Sequence, residues 1–451
     1  MYYPINDEFK NPQMNKSKKL DRRSFFKKAA GVSAAAFALP YIIPSTALGK
    51  GSAVAASDRI VMGVIGSGSM GTGDMRTFMG KAEVQMVAAC DVDKAHRERA
   101  KKLMDDRYGN NDANIYGDYR EFLASEKLDA VILALPDQWH GIIGVAAANA
   151  GLDIYGQKPL ARTIWEGRQI VDAVKKNKVI WQTGSWQRSV GNFHQGAELV
   201  ANGRIGKISR VEVGLPDGNP ASGANPVQPV PEGLDWDMWL GPAPKVPYRG
   251  VCHWDWRWIM DYSGGQLTDW AGHHIDIAHW GLGFDGTGPD EIEGKGVYPR
   301  EGIYDVPVEY KVHARYANGV EMTIANARQL PHGMGTCWYG DKGWIYVRRG
   351  NVIEASDPKI LEEVVGDDEN KLYFSRDHAQ NLLDCIRSRK ETITPAEAAH
   401  RSISVGLLSE IAMLTGQKLK WDPVKEQFID NAMADRLLRR PFRTPWTLKN
   451  N

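Results

Sequence analysis

The sequence predicts an α/β chain, a doubly wound parallel sheet followed by a second α/β unit, and three observations carry that reading. An apolar run, Ile60 to Ile65, enters a glycine-spaced loop, Gly66-Ser67-Gly68-Ser69-Met70-Gly71, with a helix-compatible stretch behind it. Apolar strand candidates then alternate with helix candidates as far as Gln182. Further on, the candidate strands change to period-2 alternation, with an Asn318-Gly319 pair where a hairpin turn belongs. At 451 residues the chain exceeds what one hydrophobic core usually organises, so two domains are expected.

Taken in order, residues 1–57 read as an export signal and linker. A charged front precedes a short Ala-rich apolar run from about Ala29 and the small residues Ser45 to Ala47. That run is too short and too weakly hydrophobic for a membrane span. Arg22-Arg23-Ser24-Phe25-Phe26-Lys27 is similar to the twin-arginine signal, whose pair precedes a polar residue, apolar residues and often Lys. The alternative is the basic front of an ordinary secretory signal. The twin-arginine resemblance implies the twin-arginine export machinery as a partner, a periplasmic location, a cleaved signal, and capture of any cofactor before translocation.

Residues 58–183 read as a dinucleotide-binding domain of the Rossmann type. Gly66 and Gly68 allow a tight turn and close approach of backbone to a pyrophosphate, while Gly71 lets helix and strand pack. Ser69 and Met70 open the helix, whose first N–H groups are free for the anion. A second apolar run, Val84 to Cys90, ends in Asp91, twenty residues after Gly71. A carboxylate there accepts hydrogen bonds from both ribose hydroxyls and repels a 2′-phosphate, which predicts NAD(H) over NADP(H); the alternative is a turn cap. Ala130 to Leu135 continues as a strand, Gly141 to Ala150 as a helix, Asp153 to Tyr155 as a strand, Ile164 to Lys175 as a helix and Val179 to Gln182 as a strand.

Residues 184–421 form the second unit, with 422–451 as a C-terminal extension. "SRVEVGL", "EYKVHARYANGVEMTIANA" and "WIYV" have strand periodicity. Ile403, Leu407, Leu408, Ile411 and Leu414 recur at helical spacing, the pattern of an amphipathic helix packed on a core.

Three motifs in register, Pro136 to His140, Gly156-Gln157-Lys158-Pro159 and "GGQLTDWAGHHID" from Gly264, resemble the Gfo/Idh/MocA oxidoreductases, the glucose-fructose oxidoreductase and inositol dehydrogenase family. The resemblance runs from about Ile60 to Trp421. It implies a C-terminal α/β domain with an open, mostly antiparallel sheet that supports homo-oligomers, dimers or tetramers. It adds Pro136, His140, Gln157 and Lys158 to the NAD-binding set, and points Lys158 into the cleft beside the nicotinamide. Two positions depart from the family pattern: Gln157 stands where Glu is usual, and Ala271 where Gly is usual.

The stretch Gly264 to Trp280 carries the expected chemistry. Asp269 and His273 are four apart, hence on one face of a helix. Oxidising a secondary alcohol requires loss of the hydroxyl proton, and a histidine with an ordinary pKa of about 6.5 can accept it. His273 is therefore the expected proton-transfer residue, with Lys158 stabilising charge on the oxygen and Asp269 orienting His273 or holding a substrate hydroxyl. Asp276 is a candidate substrate or structural contact, and His274 and His279 are read as scaffold. The i, i+4 histidine pair of a zinc helix is absent, so this stretch is not read as a metal site; a mixed Asp269/His273 or His279 site is the alternative.

Trp236, Trp239, Trp254, Trp256 and Trp258, with Arg257 among them, offer either flat faces for a sugar or plain core packing. Arg257 is a candidate substrate contact. Net charge is +1, but the first 49 residues hold eight Lys/Arg against three Asp/Glu, so the remainder is slightly acidic. A body of that charge argues against nucleic-acid binding and favours a small carbohydrate ligand. Four dispersed cysteines predict free thiols. The expected function is an exported NAD(H)-dependent oxidoreductase of a sugar, polyol or glycoside hydroxyl; the alternative is an NAD-retaining glycoside-cleaving enzyme that oxidises, eliminates, hydrates and reduces. A noncatalytic sugar sensor is a third reading, against which Lys158, Asp269 and His273 argue.

Overall fold

The computed structural model describes Ala55 and residues 58–448, so the twin-arginine-like segment lies outside the described residues. Six strands, β1 (Ile60–Ile65), β2 (Val84–Cys90), β3 (Asn114–Tyr116), β4 (Ala130–Leu133), β5 (Asp153–Gly156) and β6 (Trp181–Thr183), make a parallel sheet in the order β3-β2-β1-β4-β5-β6. Helices cover both faces, which is why β4 and β5 are buried at every position. The order reverses between β1 and β4, and the crevice beyond their carboxyl ends is where such sheets bind ligands.

β1 and β2 have the bounds the apolar runs predict. The strand expected through Leu135 stops at Leu133, because Pro136 caps a helix that starts at Asp137, four residues before the expected Gly141. The Lys94–Tyr108 helix has no counterpart in the sequence reading: only Ala100, Met104 and Asp105 of its fifteen residues are buried, too narrow an apolar stripe to announce itself.

Nine strands form the second sheet: β7 (Ile208–Leu215), β8 (Glu291–Val297), β9 (Glu309–Arg315), β10 (Glu321–Asn326), β11 (Gly335–Gly340), β12 (Gly343–Arg348), β13 (Val352–Ala355), β14 (Leu419–Asp422) and β15 (Gln427–Phe428). Their order is β13-β12-β11-β7-β10-β9-β8-β14-β15, and within this sheet, among the described residues, β7 with β10 is the one parallel pairing. In β9 the period is visible in the burial: Tyr310, Val312 and Ala314 face the core while Lys311, His313 and Arg315 face out. The expected turn joins β9 to β10: Gly319 N–H donates to Tyr316 O at 2.8 Å with φ +87°, the left-handed position of a three-residue hairpin loop.

The Ala396–Thr415 helix is more buried than an amphipathic surface helix, with Ile403, Leu407, Leu408 and Ile411 in the core and Leu414 exposed at its end. It backs the functional stretch. Two later segments return to the first sheet. Ala379, Leu382, Leu383 and Cys385 of the His378–Ser388 helix share a core with Met62, Met86 and Ile180, and Trp446 packs edge-on against Trp139. All four cysteines are buried and free. Among the described residues no helix is long and apolar enough to cross a membrane.

Candidate active site

A continuous cleft, partly open to solvent, runs from the glycine loop and Asp91 at one end to Lys158, Arg257 and Asp269 at the other. The nucleotide motif and the Lys158–Asp269 pair thus line one and the same cleft.

The glycine end suits a dinucleotide. A Cβ on Gly66, whose φ is +86°, would stand 2.3 Å from Ala134 O, and a Cβ on Gly71 would stand 1.8 Å from Gly66 O. Only glycine permits this crossing of strand and helix. The Ser69–Met79 helix has no side-chain cap at its N-terminus, so its first amides are available to an anion. Ser69 and Met70 line the cleft beside them. Asp91 at the end of β2 accepts from Ser67 N–H at 2.7 Å and from Asp93 N–H at 2.9 Å, which fixes the carboxylate at the cleft wall.

Pro136 and Gln157 also line the cleft. His140, expected at the cofactor, does not: it is buried, with Nε2 2.9 Å from Leu135 O, and it supports the loop that carries Pro136. Gln157 donates to Asp74 Oδ2 at 2.8 Å. Burial pushes the Asp74 carboxyl up to about 6, against the lowering effect of that hydrogen bond. The side chain at position 157 thus reaches a carboxylate of the Ser69–Met79 helix.

At the far end Lys158 Nζ donates to Asp269 Oδ1 at 2.7 Å, and Arg257 Nε stands 3.8 Å from the same oxygen. Burial alone would raise the Asp269 carboxyl, but Lys158 and Arg257 hold it below the usual carboxylate range. Asp269 therefore holds Lys158 and does not hydrogen-bond His273. The reason is local: after Gly265–Trp270, residues Ala271–Ile275 make a π-helical turn, with Asp276 N–H donating back to Ala271 O, before the α-helix resumes at Asp276. The extra residue in that turn breaks the four-residue alignment of Asp269 with His273. Ala271 turns its methyl to Gly406, where an added Cβ would come within 3.0 Å of it, so the helix behind makes room for the Ala. Gly272 lets the turn close on Lys158, an added Cβ standing 3.2 Å from Lys158 Cβ.

His273 is 4% exposed, packs against Trp186 and Trp270 and, like His140, is not among the residues that line the cleft. Its Nδ1 has no hydrogen-bond partner among the described residues. Burial, then the charges of Lys158 and Arg349, hold the imidazole well below its ordinary value, so it is neutral at neutral pH. Arg349, which no local motif marks, lies between Trp186 and Trp270 at 4.6 and 4.3 Å from the ring centroids. Asp137, inside the Pro136 to His140 motif and the first residue of its helix, accepts from Ser263 Oγ at 2.7 Å, and burial pushes its carboxyl up to about 7.

Asp276 is not at the cleft. It is buried, takes a bidentate pair from Arg188 at 2.8 Å and 2.8 Å, and accepts from Ser402 Oγ at 2.9 Å, which commits both of its oxygens to the scaffold. His274 Nδ1 lies 3.3 Å from Gln187 Nε2, and His279 Nε2 lies 2.7 Å from Tyr316 Oη; both are scaffold. The tryptophans divide: Trp239 and Trp256 line the cleft, Trp258 packs with Tyr304, and Trp254 is 61% exposed beneath Arg257.

Comparison with known proteins agrees with this geometry. Residues 60–185 match the domain described as "Oxidoreductase family, NAD-binding Rossmann fold", and residues 221–448 match "Oxidoreductase family, C-terminal alpha/beta domain". The inositol 2-dehydrogenase of Salmonella typhimurium is 28% identical over 147 residues, 32% of this chain and 42% of that protein, so the match spans less than half of the relative. The myo-inositol 2-dehydrogenase of Thermotoga maritima is 26% identical over 324 residues, 69% of this chain and 81% of that protein. Glycosyl hydrolase family 109 protein 2 of Shewanella sp. strain ANA-3 is 34% identical over 170 residues, 34% of this chain and 37% of that protein. In fold the chain is similar to the WlbA dehydrogenase from Bordetella pertussis, solved with NADH and UDP-GlcNAcA, with TM-score 0.60, 17% identity, and coverage of 81% of this chain and 99% of that one. With an NAD-binding domain and a C-terminal domain both matched, the chain belongs to the Gfo/Idh/MocA oxidoreductase family.

Proposed function

We propose that the protein transfers hydride between a secondary hydroxyl of a sugar, polyol or glycoside and an NAD(H) that it holds tightly. The observation that carries the reading is the Lys158–Asp269 pair, 2.7 Å apart, at the end of the cleft opposite the glycine loop. Nicotinamide, when bound, supplies the two-electron acceptor or donor. The chain supplies the rest: Lys158 hydrogen-bonds the reacting oxygen and stabilises charge on it. Asp269 holds Lys158 in place, and neutral His273 accepts the hydroxyl proton. Trp256 gives an apolar wall and Arg257 a donor to the remaining hydroxyls.

Incubating the purified protein with NAD and a panel of polyols, sugars and glycosides tests this. The expected result is a rise at 340 nm with some members of the panel, absent in Lys158→Ala. No turnover with any member, bound cofactor included, sinks the reading of net oxidation.

A second reading, glycoside cleavage through transient oxidation, elimination, hydration and reduction, is favoured by the similarity to the Shewanella glycosyl hydrolase family 109 protein. Release of free sugar without net NADH selects it. Export through the twin-arginine machinery to the periplasm, as a homo-oligomer, belongs to the same proposal and rests on Arg22, Arg23 and the family resemblance. Fractionation of cells making the wild type or an Arg22→Lys/Arg23→Lys variant tests it, the variant being expected to stay in the cytoplasm.

A further inference from the structure

We propose that Asp93, His96 and His253 form a binding site for a divalent transition-metal ion of the zinc class, at the Asp91 end of the cleft. One ligand atom from each residue can be chosen so that all lie within 4.8 Å of one another. The set is two imidazoles and one carboxylate, a donor combination that suits zinc, with a fourth position left for water.

The surroundings are arranged as a metal site requires. Asp93 divides its carboxylate: Oδ1 caps the Lys94–Tyr108 helix by accepting from Ala95 N–H at 2.8 Å, while Oδ2 lies 3.4 Å from His253 Nε2. His96 Nδ1 stands 3.5 Å from Asp91 Oδ2, so a second carboxylate lies beside this imidazole. The two rings approach to 4.7 Å between centroids at a 51° tilt, converging and not stacked. Zinc would draw the ligand atoms in by about an ångström, to bonds of about 2.0–2.1 Å, and the His253 ring, on an exposed loop, is free to make that movement.

The location gives the site a purpose. His253 belongs to a segment that crosses the cleft wall with Leu234, Trp239 and Cys252. Its near end is already tied to the nucleotide sheet, since Lys94 N–H donates to Gly233 O at 2.9 Å and Asp235 N–H to Val92 O at 3.1 Å. A metal on Asp93, His96 and His253 ties the far end to the same turn. It thereby closes the cleft beside Asp91 and slows release of a bound dinucleotide.

The full-length protein, stripped with EDTA and dialysed against dilute zinc chloride, is expected to retain about one zinc per chain, and His253→Ala less than about one tenth of that. In the wild type, zinc is expected to slow dissociation of preloaded NAD by about tenfold, an effect absent in His253→Ala. A second measurement needs no variant: zinc should protect His96 and His253 of the wild type from diethyl pyrocarbonate, read by mass spectrometry. Zinc absent from the wild type, equal zinc in both proteins, or unchanged labelling of both histidines overturns the site. None of these readouts depends on turnover, so failure of the proposed activity leaves the test intact.

Discussion

Lys158 and Asp269, 111 positions apart in sequence, meet at 2.7 Å at the end of the cleft away from the glycine loop. Both side chains are largely buried, at 11% and 16% exposure, so the pair is shielded from the salt and solvent that make surface ion pairs weak. Asp269 is therefore a holder of the lysine, and in the proposed reaction the proton-accepting role falls to His273, which Asp269 does not hydrogen-bond.

That division of roles predicts unequal mutant effects. Asp269→Asn keeps a hydrogen-bond acceptor near Lys158 but removes the charge, and kcat/KM is expected to fall by about 10²-fold; Lys158→Ala should cost about 10³-fold. Steady-state kinetics on the best member of the substrate panel gives both numbers. If Asp269→Asn costs as much as Lys158→Ala, Asp269 does more than position the lysine.

His273 is held neutral by burial first and then by positive neighbours, Lys158 and Arg349. A base must be unprotonated to act, so activity falls on the acid side at the pKa of His273. Arg349→Met removes one of those charges, the pKa rises, and the acid limb of the pH profile of kcat/KM moves to higher pH. His273→Ala is expected to lower kcat by about 10²–10⁴-fold and to abolish that limb.

The buried scaffold histidines make a separate statement about stability. Burial pushes His274 down to about 3 and His279 down to about 4, below the roughly 6.5 of an unfolded histidine. Between those values the unfolded chain binds the proton and the folded chain does not. Their contribution is fully present above about pH 6.5 and is lost as the pH falls towards 4, by up to about 3 kcal/mol for His279 alone. Denaturant titrations at several pH values should show stability dropping below pH 6.5, with a shallower drop in His279→Gln.

Asp276 illustrates a fold role where chemistry was anticipated. Removing it by Asp276→Ala leaves Arg188, 2% exposed, paired only with Asp285, and is expected to cost about 3–5 kcal/mol. The thermal midpoint should fall while KM for substrate changes little; a large KM effect at unchanged stability would return Asp276 to the site.

The sequence disclosed those parts whose cause is local. β1, β2, the glycine loop and the Gly319 turn follow from short-range patterning and backbone sterics, and each lies where that patterning puts it. Lys158 and Asp269 are individually visible in their motifs, but their pairing is a consequence of sheet order and domain packing. The π-helical turn after Trp270 is invisible to a four-residue spacing argument, which is why Asp269 was expected beside His273. Arg349, Asp74 and His253 carry no periodic or motif signal, since each reaches the site through a tertiary contact; His140 and Asp276 sit in motifs and turn inward to hold them in shape.

The last segment of the chain is tied to the nucleotide domain by a buried charge. Arg440 donates from Nε to Glu166 Oε1 at 2.8 Å and from Nη2 to Gln138 O at 2.7 Å, while the Glu166 side chain is 0% exposed. Glu166 also sits in a capping arrangement with Thr163, whose Oγ1 accepts from Glu166 N–H at 3.2 Å. Arg440→Ala leaves that carboxylate buried without its cation, and the expected cost is about 3–5 kcal/mol. Gln138 lies in the first turn of its helix and the next residue, Trp139, lines the cleft, so the same change is expected to weaken NAD binding as well. Adding Glu166→Gln to Arg440→Ala removes the stranded charge and should recover part of the lost stability. Guanidinium unfolding of the wild type, the two single variants and the double variant measures the coupling, and additive effects would show that the tie contributes nothing.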